Sequence, residues 1–368
     1  MQGVSDCSRA VIRRRRYFVI TGCLAVLLGI LGIAAMVPPQ STNIHPERVK
    51  TSGKLELNGT LWYSDHKLIG WFGRPDIPYQ LEQLDLVSGK VVAIPHGNAD
   101  VFRTWAAPDG QRLLVLDGLQ WVLKGLDDHV YEKRNTPQLG FPMEIAWMSD
   151  SSAWAYMEGR DHGSTLHLYR VGSTKSDSDS KYAFPDYPKV IGFPDPNHVL
   201  VYGDRNTIDL YLLKDKAVLQ KSLPFSLMDS TTNRSLVREV ALSPDGKHLC
   251  WLVLSPFEPE PTILSKLEAW FPKAGNLIPR KPNKHADATI ATFWTTALDG
   301  THKQRITSIT LDKVSSTLLD MTDWSPDPLG GITPGEMTWS HEGKHITYRL
   351  NRELWAITLP REESEQHR

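Results

Sequence analysis

The chain has 368 residues, with 41 Lys+Arg against 42 Asp+Glu and a formal charge of -1, so it offers no global electrostatic attraction to nucleic acid. At 40% hydrophobic and 23% charged residues it is neither a disordered chain nor a multispanning membrane protein, and its length suits one large domain or two small ones. Cys7, Cys23 and Cys250 leave one cysteine in the body, which excludes an intramolecular disulfide there and a Cys-rich zinc site.

Residues 1–16 form a basic tail, in which Arg9 and Arg13 to Arg16 outweigh Asp6. Tyr17 to Val37 then run for 21 residues without a charge, enough to cross a hydrocarbon core about 30 Å thick. The next basic residues are Arg48 and Lys50, so the charge bias predicts a single-pass anchor with its N-terminus in the cytoplasm and the body outside it, in a periplasmic or extracellular space. A cleaved secretory signal is the alternative, although its apolar stretch is usually shorter, about 7 to 15 residues. Ile20-Thr21-Gly22-Cys23 resembles a bacterial lipobox, but the apolar run continues well beyond the cysteine. Residues 38–47, opening with Pro38-Pro39-Gln40-Ser41-Thr42, read as an extended linker.

From residue 48 to 360 a five-residue pattern recurs, aromatic-Ser-Pro-acid-Gly, and each copy precedes a strand of alternating apolar residues. Its acidic position is filled by Asp65, Asp109, Asp150, Asp195, Asp245 and Glu342. The chemistry is that of a tight turn: Pro presets φ, the acid accepts nearby backbone N–H groups, and Gly adopts a left-handed conformation. These acids are therefore read as structural. A second strand follows most copies, and the spacing matches the about 40 to 45 residues of a four-stranded propeller blade. The expected fold is all-β, a six-bladed β-propeller, with a seventh blade as the alternative because Asp245 and Glu342 lie twice a blade apart. The last copy lacks an outer strand, and residues near 52 to 57 are expected to supply it beside Glu353 to Thr358.

Ser243-Pro244-Asp245-Gly246-Lys247 and the later Ala297-Leu298-Asp299-Gly300 resemble the repeats of TolB-type propellers, also called WD40-like or PD40 repeats. That resemblance implies a propeller and little about activity, since such propellers serve scaffolds, receptors and enzymes alike.

His341-Glu342-Gly343-Lys344-His345 matches the His-Glu-x-x-His pattern of zinc peptidases, whose two histidines must sit one helical turn apart. Here the five residues fall on a repeat turn before a strand, so the turn reading is preferred. No Gly-x-Ser-x-Gly elbow or Gly-rich phosphate loop occurs. Asp127-Asp128-His129 and the Ser176 to Ser180 run read as exposed turns rather than a cation site. No catalytic residue, metal or cofactor is expected.

Residues 255–284 break the rhythm of the blades. Within them Ile263, Leu264, Leu267, Trp270 and Phe271 share one helical face, and Lys273, Arg280, Lys281 and Lys284 follow as a basic patch. Two readings stand: a short helix docked on the propeller, or a contact for a protein partner or for lipid headgroups, in which case Ile263, Leu267, Trp270, Arg280 and Lys281 are the candidate contact residues. Residues 361–368 form a polar tail. The sequence thus reads as a membrane-anchored propeller that binds, as a scaffold or sensor in an envelope assembly. The alternative is an enzyme: a zinc peptidase through the His341 motif, or a saccharide-active propeller enzyme.

Overall fold

A twisted antiparallel sheet with apolar residues on both faces must be covered on both sides, and a ring of such sheets covers each with its neighbours. The computed structural model describes residues 44–360, except 52–53, 75–76, 97–103, 119, 136–144, 161–162, 176–177, 185–188, 204–205, 229–234, 257–287, 312–334 and 351–352. The expected membrane segment Tyr17 to Val37, both tails, and Ile263, Leu267, Trp270, Arg280 and Lys281 lie outside the described residues. Among the described residues no helix is long and apolar enough to cross a membrane.

Six four-stranded antiparallel sheets form the propeller. Blade one holds β2 (Lys54–Tyr63), β3 (Lys67–Arg74), β4 (Ile77–Asp85) and β5 (Val91–Ala93). Blade two holds β6 (Thr104–Ala106), β7 (Arg112–Asp117), β8 (Gln120–Gly125) and β9 (Val130–Asn135), and blade three β10 (Ile145–Trp147), β11 (Ala153–Arg160), β12 (Gly163–Arg170) and β13 (Ser180–Phe184). Blade four runs through β14 (Lys189–Asp195), β15 (His198–Gly203), β16 (Thr207–Leu213) and β17 (Ala217–Pro224). Blade five follows with β18 (Leu236–Leu242), β19 (His248–Pro256), β20 (Thr289–Ala297) and β21 (Gln304–Leu311). Blade six has β22 (Gly335–Trp339), β23 (His345–Leu350) and β24 (Glu353–Thr358), completed by β1 (Glu47–Arg48) from the start of the body.

The doubled spacing before Glu342 comes from two long connections, Pro256 to Thr289 inside blade five and Leu311 to Gly335 after it, and the described residues form six sheets.

An N-terminal segment does close the ring, but not residues 52 to 57. Glu47 pairs with Ala356 and Arg48 with Trp355, the Val49 amide donates to the Leu354 carbonyl at 2.9 Å, and Arg48 meets Glu353 at 3.0 Å. Residues from Lys54 instead form β2, the inner strand of blade one. The reason lies in the order of strand and turn: each repeat turn leaves an inner strand before entering the next one, so the residues ahead of Ser64 belong to blade one. A body that starts at Lys50 should lose roughly 2–4 kcal/mol relative to one that starts at Ile44, from lost ladder bonds and packing at Ile44 and Val49. Denaturant midpoints of the two proteins check this, and equal midpoints would contradict the closure.

Packing follows the ring. Among the described residues six clusters of buried side chains occur, one at each seam between neighbouring blades. Alternation decides which seam a residue enters: Ala153 and Ala155 face blade four, whereas Trp154 and Tyr156 face blade two. At that second seam Trp121 meets Trp154 edge-on at 5.0 Å, and Trp154 stacks on Tyr169 at 4.1 Å. Such pairs add specific geometry to the buried area.

Candidate functional site

The repeat turns lie together on one face of the ring, because each joins the first strand of its blade to the second. Their local chemistry is shared. The Ser243 amide donates to His248 O at 2.9 Å, and its hydroxyl oxygen accepts from the His248 amide at 2.9 Å; Ser340 stands in the same relation to His345. Asp245 Oδ1 accepts the Ser243 hydroxyl at 2.5 Å and the Lys247 amide at 3.1 Å. Asp109, Asp150 and Asp195 likewise accept the amide two residues on, at 2.9, 2.9 and 2.8 Å. These bonds leave their mark on the acids. Burial raises the Asp245 carboxyl, but the Ser243 hydroxyl, the Lys247 amide and the neighbouring cations bring it below the ordinary range. For Asp150 the Ser152 hydroxyl is the main lowering cause.

The first turn is shorter than the sequence pattern implies. Ser64 pairs with Lys67, three residues on, and its hydroxyl caps the Lys67 amide at 3.0 Å, so Ser64 occupies the place of Ser243 and Ser340. Asp65 therefore sits one place earlier in its turn than Asp245 does.

Every seam is also bridged by residues in or beside these turns. Trp62 Nε1 donates to the Pro108 carbonyl at 2.8 Å, from blade one to blade two. Ser151 Oγ accepts the Asp109 amide at 3.0 Å, and its carbonyl accepts Arg112 Nη2 at 3.1 Å. Ser151 stands where the pattern has Gly and keeps the left-handed φ of +58°, so this departure supplies a cross-blade acceptor. Met148 bridges to Phe193, Gly246 lies against Pro194, and Trp339 Nε1 donates to Ala241 O at 3.1 Å.

The His-Glu-x-x-His residues close the last seam. They form a turn with Gly343 at φ +68°, leading into β23. The His341 amide donates to Tyr63 O at 3.0 Å, and its ring lies 5.8 Å from that of Trp62. Glu342 Oε2 accepts the Asp65 amide at 3.1 Å. His345 places Nε2 at 3.1 Å from Asp65 and Nδ1 at 3.2 Å from the Thr358 hydroxyl, while Lys344 Nζ meets Asp65 at 2.6 Å. The helix that zinc-peptidase chemistry requires is replaced by a turn, and the side chains point to different partners on blade one and β24. Among the described residues no group of three or more His, Cys, Asp or Glu is placed to hold a metal ion.

Burial pushes the Asp65 carboxyl up, but the Lys344 hydrogen bond and the nearby His345 charge outweigh it and leave it below the ordinary range. A depressed carboxylate stabilises the fold above its unfolded pKa and loses that contribution as pH falls through its folded pKa. Lys344 is 60% exposed, so solvent screening limits the effect, and Asp65→Asn should cost about 0.5–1 kcal/mol at neutral pH and progressively less at acid pH as the folded pKa is approached. Denaturant titrations at neutral and acid pH test this; a cost that does not fall in acid would contradict it.

Asp127, Asp128 and His129 form the turn between β8 and β9. Asp127 Oδ1 accepts the His129 amide at 3.1 Å, and Asp128 meets Lys124 Nζ at 2.6 Å. Ser178 Oγ lies 3.4 Å from His167 Nδ1.

Two buried polar groupings escape a sequence reading. His167 Nε2 meets Glu158 Oε2 at 2.8 Å, with both side chains nearly inaccessible and Tyr156 stacked on the imidazole at 5.0 Å. Arg134, from the outer strand of blade two, is buried against blade three. It contacts Glu132, meets Asp179 at 3.2 Å, donates to Arg170 O at 2.6 Å and lies over the Tyr169 ring. A charged residue at an inward strand position is the only sequence signal for either, and it does not name the partner.

The two faces of the ring differ. Turns on the motif face are short, whereas the connections Asn135 to Ile145, Pro224 to Leu236, Pro256 to Thr289 and Leu311 to Gly335 all join strand ends on the opposite face.

No described protein family matches the sequence, and no curated protein matches it. Among solved structures, an oligogalacturonate lyase in complex with manganese matches with a TM-score of 0.45 at 12% identity, covering 87% of this chain and 97% of that one. A chain of a mitotic checkpoint complex matches with a TM-score of 0.46 at 10% identity, covering 88% and 96%. Neither match bears on what this chain does.

Proposed function

We propose that this chain is a single-pass, N-in membrane protein that displays a TolB-like propeller outside the cytoplasm. It works there by binding, as a scaffold or sensor in an envelope assembly. The observation that carries the reading is how the chemistry-bearing repeat residues are used. The turn acids and the His341 motif are spent on capping turns and joining blades, and long connections gather on the other face. A rigid frame with variable connections on one side suits recognition. The charge-free Tyr17 to Val37 run and the arginines before it support the anchor and its orientation.

Within this reading the partner contact falls on Ile263, Leu267 and Trp270, with Arg280 and Lys281 steering it by charge. Affinity capture of the intact protein from membranes tests the proposal. Trp270→Ala should weaken capture of a defined partner and leave thermal stability nearly unchanged. A loss of roughly 3 to 5 kcal/mol without a specific loss of binding would instead make Trp270 a core residue. N-terminal sequencing decides the anchor: a mature start near residue 35 to 40 would make the protein secreted and soluble.

A further inference from the structure

We propose that the rim made by the outer strands of blades four, five and six lies against anionic lipid headgroups, so that the propeller is held edge-on at the bilayer. This rests on the membrane-anchor reading above.

The chain enters the ring at that rim. Thr307, on the outer strand of blade five, donates its hydroxyl to Ile44 O at 2.6 Å, and Glu47–Arg48 then become the outer strand of blade six. Val37 is 44 - 37 = 7 residues upstream of Ile44, which at full extension reaches about 25 Å. The entry rim must stay within that reach of the bilayer, so orientations with blades two and three nearest the membrane are excluded. Face-on and edge-on arrangements both remain within reach.

Charge separates them: with His neutral, the six repeat turns of the motif face (64–66, 107–111, 148–152, 195–197, 243–247 and 340–344) sum to -4 and the four long connections of the opposite face (136–144, 225–235, 257–288 and 312–334) to -3, so neither face suits an anionic surface. Over the outer strands of blades four to six and their leading segments (residues 214–224, 299–311 and 45–50), Lys214, Lys216, Lys221, Lys303, Arg305, Arg48 and Lys50 face Asp215, Asp299 and Glu47, a sum of +4. The matching segments of blades one to three (85–93, 127–135 and 170–184) sum to zero. Pairing Arg48 with Glu353 lowers the first figure to +3 and keeps the contrast. Lys303 lies over the Trp294 ring at 4.5 Å, and Lys221 donates to Asp299 O at 2.9 Å, so these cations are held at the rim. Apolar exposure does not discriminate, since Val92, Val130 and Tyr131 on blades one and two are as exposed as Val218 and Leu219 on blade four. A basic surface kept close to headgroups gains from each cation, and the gain vanishes when salt screens it. The basic rim therefore turns down.

The test uses the full chain with Cys7 and Cys23 changed to Ser, since buried Cys250 does not react readily. A donor dye is placed at Gln304→Cys on blade five or at Tyr131→Cys on blade two, across the axis. The protein is reconstituted in vesicles with about one-third phosphatidylglycerol and acceptor-labelled headgroups. Two blades across the axis span at least about 30 Å, so transfer from residue 304 should exceed that from residue 131 several-fold. The difference should shrink in zwitterionic vesicles and in about 1 M salt, where the screening length is about 3 Å. Equal transfer from the two sites overturns the edge-on arrangement, and a difference indifferent to salt and lipid charge overturns its electrostatic cause. Release of the protein by an alkaline carbonate wash would be a separate result, the failure of the anchor itself.

Discussion

Gly246→Ala is expected to cost roughly 3 kcal/mol or more of folding stability. Two effects add. Gly246 has φ +72°, where an L side chain costs about 1–2 kcal/mol. A methyl group there would also overlap the carbonyl oxygen of Pro194 and come within 2.8 Å of its carbonyl carbon. Those atoms are backbone of the neighbouring blade, so relief requires the seam between blades four and five to open, at a further cost of about 1–3 kcal/mol. Gly89 is the internal control. It has nearly the same φ, +71°, with nothing within 4 Å of an added Cβ, so Gly89→Ala should show the backbone cost alone. Denaturant midpoints compare the two, and equal losses would show that the Gly246 turn does not hold the seam. At Gly110 the neighbour is the Trp62 ring, 2.6 Å from the added Cβ, a side chain with some freedom to move.

Arg134→Ala should cost about 3–5 kcal/mol, the usual range when one partner of a buried ion pair is removed. The guanidinium is almost wholly buried, and so is the Asp179 carboxylate it meets. Burial pushes the Asp179 carboxyl up, but the Ser173 hydroxyl, the Arg170 amide and Arg134 together bring it below the ordinary range. Its contribution is thus present above the unfolded pKa of about 3.9 and lost as pH falls through the lower folded value. The penalty of Arg134→Ala should accordingly be large at pH 7 and smaller near pH 3, where a protonated Asp179 no longer needs the cation. Stability curves at both pH values test this, and a penalty independent of pH would assign the loss to packing over Tyr169. Arg134→Met, which keeps the buried volume and removes the charge, should resemble the alanine variant at pH 7 and recover more in acid.

Sequence and structure agree where chemistry is local. A turn such as Ser243-Pro244-Asp245-Gly246 is determined by φ preferences and by bonds between residues a few positions apart, so the blade repeat can be read directly. Ring closure is non-local: Glu47 meets Ala356, and no local rule distinguishes that short segment from the alternating Leu55 and Leu57 that follow it. Copy one misleads for a related reason, since a turn two residues shorter keeps its Ser and acid while shifting their places. The cross-blade acceptors hide in the departures from the pattern, Ser151 for Gly above all. Partners such as Glu158 and His167 lie on adjacent strands but depend on which face each strand turns inward, which only the assembled seam decides.

The closure of blade six also sets an order of events during synthesis. Glu47 and its partner Ala356 are 356 - 47 = 309 residues apart, so at about 5–20 residues per second the first outer strand leaves the ribosome roughly 15–60 s before the strand it pairs with exists. Blades one to five can each assemble from contiguous chain as they emerge, but the sixth waits until β24 has emerged. Until then the nascent ring has an uncovered apolar sheet face at each end, and premature termination anywhere before Glu353 leaves a chain that cannot seal itself.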